Sequence, residues 1–229
     1  MRLSNLAAIF GNLKRGLREF IRMSGMLWRT VAAAGIAAAL GLAPGLAMAQ
    51  SSGPTFSFQP LPINKSPGRI IDEVKAGGLA HDVTFLGRHV ESGADVNIEM
   101  LFTPPDLLAV IGSPRPHIGA DINTSGNTSD GYFGLTWGIS VIQDLFTRGD
   151  SVFLTGSLGG AVQDGFELTA PPGRKRLGSP VLFRESAEVG YQMTPTISIS
   201  AILDHISNAN LAPRNAGITS AGARVGFKF

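Results

Sequence analysis

The chain has no cysteine, so no disulfide and no thiolate contributes to its stability or chemistry. Charge is scarce at 16% of residues, and 19 Lys+Arg stand against 17 Asp+Glu, which leaves no polybasic surface for nucleic acid. Its four histidines are scattered, and no spacing resembles a metal site. No cofactor motif is present; the glycine pair Gly159–Gly160 falls inside a strand pattern, not in a phosphate loop. Beyond residue 50, no apolar run approaches the roughly 18 residues of a membrane helix. A chain of this kind can enter a membrane only as a closed barrel, because hydrocarbon tolerates no unpaired backbone.

What is present begins with a leader. Arg2, Lys14, Arg15, Arg18, Arg22 and Arg29 precede an Ala/Gly/Leu run over 31–46, which closes in Ala47-Met48-Ala49. Residues 1–49 thus read as a secretory signal peptide, with Met1, Met23 or Met26 as the start. The leader holds six of the 19 basic and one of the 17 acidic residues, so the remainder carries a net −3. Residues 50–69 are rich in Pro, Ser and Gly and read as an extended, poorly ordered lead-in.

From residue 70 to 229 the dominant period is two. In the last run, Thr219, Ala221, Ala223, Val225, Phe227 and Phe229 share one face, opposite Ser220, Gly222, Arg224, Gly226 and Lys228. Phe133, Leu135, Trp137, Ile139 and Val141 alternate likewise with Tyr132, Gly134, Thr136, Gly138 and Ser140. Such runs fall at 70–81, 95–104, 115–123, 131–142, 151–163, 181–192, 196–207 and 218–229. One face is apolar and the other is Gly, Ser, Thr or charge, which predicts an all-β, eight-stranded antiparallel transmembrane β-barrel. A soluble lipid-binding barrel would instead carry a charged exterior. Eight strands leave a lumen just wide enough for side chains, so function belongs to loops, rims or the outer wall. Glu99, Asp121, Arg184, Glu188, Arg224 and Lys228 have lumen parity and read as a charge network.

The stretch "LDHISNANLAPRNAG" ends the seventh run. With both termini on the periplasmic side, His205 and Ser207 lie near the extracellular rim, on the outward face of Ile199, Ala201 and Leu203. Residues i and i+2 of a strand stand about 7 Å apart on one face, so imidazole and hydroxyl can meet. His205 can take the proton of Ser207, and Asn208 can offer a donor to a developing oxyanion. The substrate within reach is the outer leaflet, which in a bacterial outer membrane is lipid A.

The H-x-S-N-A motif at His205, Ser207, Asn208 and Ala209, with the downstream "NAG" and the terminal "GFKF", resembles the lipid A 3-O-deacylases of the PagL type, also called acyloxyacyl hydrolases. The resemblance is close over the last 35 residues and looser over the barrel. It implies an outer-membrane enzyme that hydrolyses an ester-linked acyl chain of lipopolysaccharide, with Ser207 as nucleophile, His205 as base and Asn208 at the oxyanion. It also suggests homodimers. The family's triad carries a glutamate on the last strand, where this sequence has Thr219. The short turn around Met193–Pro195 places 183–185 opposite His205, which makes Glu185 the substitute acid and Thr219 the alternative acceptor. His81 and His89 flank the first loop, and the "PPGRKRLG" run at 171–178 reads as a solvated loop, or as a contact for lipid A phosphates. The competing reading is a non-enzymatic structural or adhesive barrel.

Overall fold

The computed structural model describes residues 53–63 and 68–229; the 1–49 signal reading lies outside them. Among the described residues nine strands form: β1 (Thr55–Pro60), β2 (Ile71–Ala80), β3 (Ala94–Phe102), β4 (Arg115–Asn123), β5 (Asp130–Gln143), β6 (Ser151–Gln163), β7 (Val181–Gln192), β8 (Ile197–Ser207) and β9 (Ile218–Lys228). Strands β2 to β9 pair antiparallel with their sequence neighbours, and β2 with β9, so the wall closes as an eight-stranded barrel. Each of the eight predicted runs becomes a strand. The connections β3–β4, β5–β6 and β7–β8 leave one end. The β2–β3, β6–β7 and β8–β9 loops, the β6–β7 loop the longest connection between wall strands, and the β4–β5 turn leave the other, here called the long-loop end.

The outer face carries Val96, Ile98, Ile118, Ile122, Phe133, Leu158, Val162, Val181, Ile199, Val225 and Phe227, all exposed. In water this would be a large unpaired apolar surface; in a bilayer it is the lipid contact. The inner face is filled by ion pairs. Glu188 accepts from Lys75 Nζ at 2.7 Å and Arg224 Nη2 at 2.9 Å. Glu99 pairs with Arg224 at 3.3 Å, and Arg184 pairs with Asp204 and stacks 3.5 Å from the Tyr132 ring. Asp121 accepts from Asn97 Nδ2 at 2.8 Å. Arg115 bonds Glu73 at 2.7 Å and Asp72 at 3.0 Å, an extension the sequence reading did not include. Near the long-loop end, Leu177 of the β6–β7 loop packs with Tyr132, Ala161, Leu182, Ile206 and Ile218 in one apolar cluster.

The lead-in contains one strand. β1 pairs with β5, with Thr55 opposite Gln143 and Pro60 opposite Ile139. β4 pairs with β5 only from Thr136 upward. β1 therefore occupies the side of lower β5 that β4 is too short to reach, and both run antiparallel to β5. The Leu61 N–H continues the ladder to Gly138 O at 3.1 Å. Gly138 leaves room for the Leu61 side chain: an added Cβ would lie 2.4 Å from Leu61 Cδ1, so Leu61 would have to shift.

Candidate active site

β7, β8 and β9 carry the site because each contributes one outward residue to a single cross-strand row. Glu185 lies opposite His205, and His205 opposite Thr219. Ser207, two residues beyond His205, shares its outward parity and lies opposite Phe183. The structure thus brings His205, Ser207, Glu185 and Thr219 together at the long-loop end. His205 Nδ1 and Thr219 Oγ1 are 2.8 Å apart. If Nδ1–H donates to Thr219, the proton on Nδ1 leaves Nε2 as a lone-pair acceptor for a hydroxyl. Among the described residues His205 and Ser207 make no direct hydrogen bond, a looseness common in substrate-free sites.

Outward parity leads the sequence to place this pair against lipid, yet loops cover it. His205 and Ser207 are each only 3% exposed. Gly217, at the end of the β8–β9 loop, continues the β9 side of the ladder beside Ser207, and a Cβ there would lie 3.0 Å from both His205 Cε1 and Ser207 Cβ. Asn208 Nδ2 donates to Leu177 O at 2.7 Å and to Arg214 O at 2.5 Å. Both of its amide hydrogens are thereby used to join the β6–β7 and β8–β9 loops, and its backbone N–H bonds Asn215 Oδ1 at 3.0 Å.

Beside the row lies a polar cluster in the loops. His81 Nδ1 is 2.8 Å from Asp95 Oδ2, and its Nε2 is 3.3 Å from Glu91 Oε2. Burial disfavours charge on His81, but the hydrogen bonds to Asp95 and Glu91 outweigh it and raise its pKa to about 9. Burial likewise opposes ionisation of Glu91, but bonds from His81 and from the Lys175 and Thr128 N–H groups lower its pKa to about 2. Arg174 bonds Glu91 at 3.2 Å, and Lys175 is buried against Asp82. The 171–178 run is therefore partly a packed element, not a wholly solvated one. Nothing in its periodicity signals this, because loop contacts have no period.

Further along the same wall, a groove of about 560 Å³ is lined by Ala76, Tyr191, Ile199, Ala201, Ala223 and Val225, among others. Ala201 precedes His205 by four residues, about 13 Å along the strand.

An apolar wall around an ion-paired lumen is made for hydrocarbon, and the chain is a transmembrane β-barrel of the outer-membrane class. Residues 102–228, more than half of the sequence, match the family model described as lipid A 3-O-deacylase (PagL), and the chain belongs to that family of enzymes. The crystal structure of the outer membrane enzyme PagL aligns with a TM-score of 0.51 at 16% identity, over 69% of this chain and 99% of that one. Neisserial surface protein A aligns with a TM-score of 0.39 at 15% identity, over 69% and 96%. The Yersinia pestis outer membrane protein Ail aligns with 0.36 at 14%, over 70% and 99%. No curated protein sequence matches the chain significantly.

Proposed function

We propose that this barrel hydrolyses an ester-linked hydroxyacyl chain of lipid A, with Ser207 as nucleophile and His205 as general base. The observation that carries this reading is the outward row itself. A histidine with Nδ1 held by Thr219 at 2.8 Å stands two residues from a serine on the same face, inside the family-matching segment. Ser207 Oγ attacks the ester carbonyl while His205 Nε2 takes its proton. The bond from carbonyl carbon to sugar oxygen breaks, and the imidazolium protonates the leaving alkoxide. Water, deprotonated by the same nitrogen, then releases the hydroxy fatty acid from Ser207. Thr219 holds the imidazole in the productive tautomer, and Glu185, opposite His205 on β7, is the carboxylate of the row that would offset the imidazolium. Asn208 is the adjacent oxyanion donor; to serve, it gives up one of its two carbonyl partners. The apolar groove below supports a substrate with acyl chains.

The test is mass spectrometry of lipid A from outer membranes holding the wild-type chain, Ser207→Ala or His205→Ala at equal level. The wild type should remove one hydroxyacyl mass, and both variants should retain it. Unchanged lipid A with folded wild-type protein would favour the structural barrel instead.

A further inference from the structure

Three loops meet over the His205–Ser207 pair, and one buried cation ties them together. Lys175, in the β6–β7 loop, has a side chain only 3% exposed. Its Nζ donates to Gly217 O at 2.7 Å and pairs with Asp82 Oδ1. Asp82 is itself anchored, since its Oδ2 accepts from Val90 N–H at 2.7 Å and Glu91 N–H at 3.0 Å. The Lys175 backbone N–H donates to Glu91 Oε1 at 2.7 Å. Val83, beside Asp82, donates its N–H to Thr219 O at 2.6 Å. Gly217 and Thr219 are thus both gripped by the 81–91 loop, the first through Lys175 and the second directly. Gly217 is also the residue whose added Cβ would stand 3.0 Å from His205 Cε1 and Ser207 Cβ.

A buried ion pair is a poor source of stability, since the desolvation of both charges offsets much of their attraction. What this one supplies is a fixed place for the backbone carbonyl of Gly217. We infer that Lys175 is a positioning residue: through Gly217 O it holds the backbone that borders His205 and Ser207 on the β9 side and sets their relative geometry for ester attack. The inference rests on the deacylase reading above. A displacement of about 1 Å at the reacting groups costs roughly 100-fold in rate, and it falls on kcat because Lys175 makes no part of the apolar groove.

Lys175→Met alone strands the buried Asp82 carboxylate, so the deciding variant is Lys175→Met with Asp82→Asn, which removes both charges together. Its deacylation of purified lipid A in mixed detergent micelles should show kcat lower by roughly 10- to 100-fold with KM within about twofold. The folded barrel's heat-shifted mobility on gels should be retained. The chain has no cysteine, so Ala216→Cys gives a single nitroxide site beside Gly217. Its spectrum should be immobilised in the otherwise wild-type chain and mobile in the double variant. Wild-type kcat in the double variant, or a faster enzyme, overturns the inference. If the wild-type chain leaves lipid A intact, the deacylase reading falls, and the nitroxide then decides the clamp alone: an unchanged spectrum overturns it.

Discussion

His205 Nδ1 lies 2.8 Å from Thr219 Oγ1, across the β8–β9 ladder. A hydroxyl can fix the tautomer of an imidazole, but it brings no charge to offset the imidazolium. Thr219→Val, close in shape, should therefore lower kcat by about tenfold, the worth of one buried hydrogen bond, with KM nearly unchanged. Glu185→Gln should cost less. The reverse order in steady-state kinetics would make Glu185 the third member.

Gly217→Ala should be more damaging than its single methyl suggests. The new Cβ would lie 2.8 Å from Ile206 O and 3.0 Å from both His205 and Ser207, so backbone or site must move. The expected result is a loss of about 100-fold in kcat in a barrel whose thermal transition is little changed. Activity within about threefold of wild type would contradict this placement.

The His81–Glu91 pair gives the loop cluster a pH window. His81 has its pKa raised from 6.5 to about 9 on folding, so its contribution is complete below 6.5 and is lost as pH rises through 9. Glu91 has its pKa lowered from 4.5 to about 2, so its contribution is complete above 4.5 and is lost as pH falls through 2. The loops should resist proteolysis best between about pH 4.5 and 6.5 and loosen toward pH 9. His81→Gln should flatten the alkaline side of that profile. A wild-type profile flat from pH 6 to 10 would show that His81 does not clamp the loops.

Gly138→Val tests the place of β1. The added Cβ would meet Leu61 Cδ1 at 2.4 Å and Thr155 Cγ2 at 3.1 Å. β1 should detach, and chymotrypsin should then cleave at Phe56 or Phe58 in membranes where the wild type is spared. Equal resistance in both proteins would mean that β1 holds without Leu61.

Glu188→Leu leaves Lys75 and Arg224 buried without their shared carboxylate. The expected destabilisation is about 3–5 kcal/mol, read from urea unfolding in lipid vesicles. A barrel of unchanged stability would show that water enters the lumen to solvate the cations.

The barrel was legible because lipid outside and packed polar groups inside impose a strict alternation, so strand limits follow from where it starts and stops. The row across β7 to β9 was legible for a related reason. A short turn at 193–196 sets the register that puts Glu185 opposite His205. β1 was obscured because its alternation of Phe56 and Phe58 around Ser57 spans only six residues and is flanked by prolines. The cover over the site was not legible at all. Lys175, Asp82, His81 and Glu91 meet through loops far apart in sequence, and no local pattern marks a lysine as buried.

One stave of this barrel is spliced from two pieces of chain, β4 above and β1 below, both laid along β5. The partner of β1 lies about eighty residues downstream, so the segment has no docking edge until β5 is in place. The first strand of the described residues thus waits for β5, the fourth strand of the wall, before it can be fitted. A machine inserting the barrel strand by strand would have to hold residues 55–60 aside until β5 is in the wall, then lay them beneath β4.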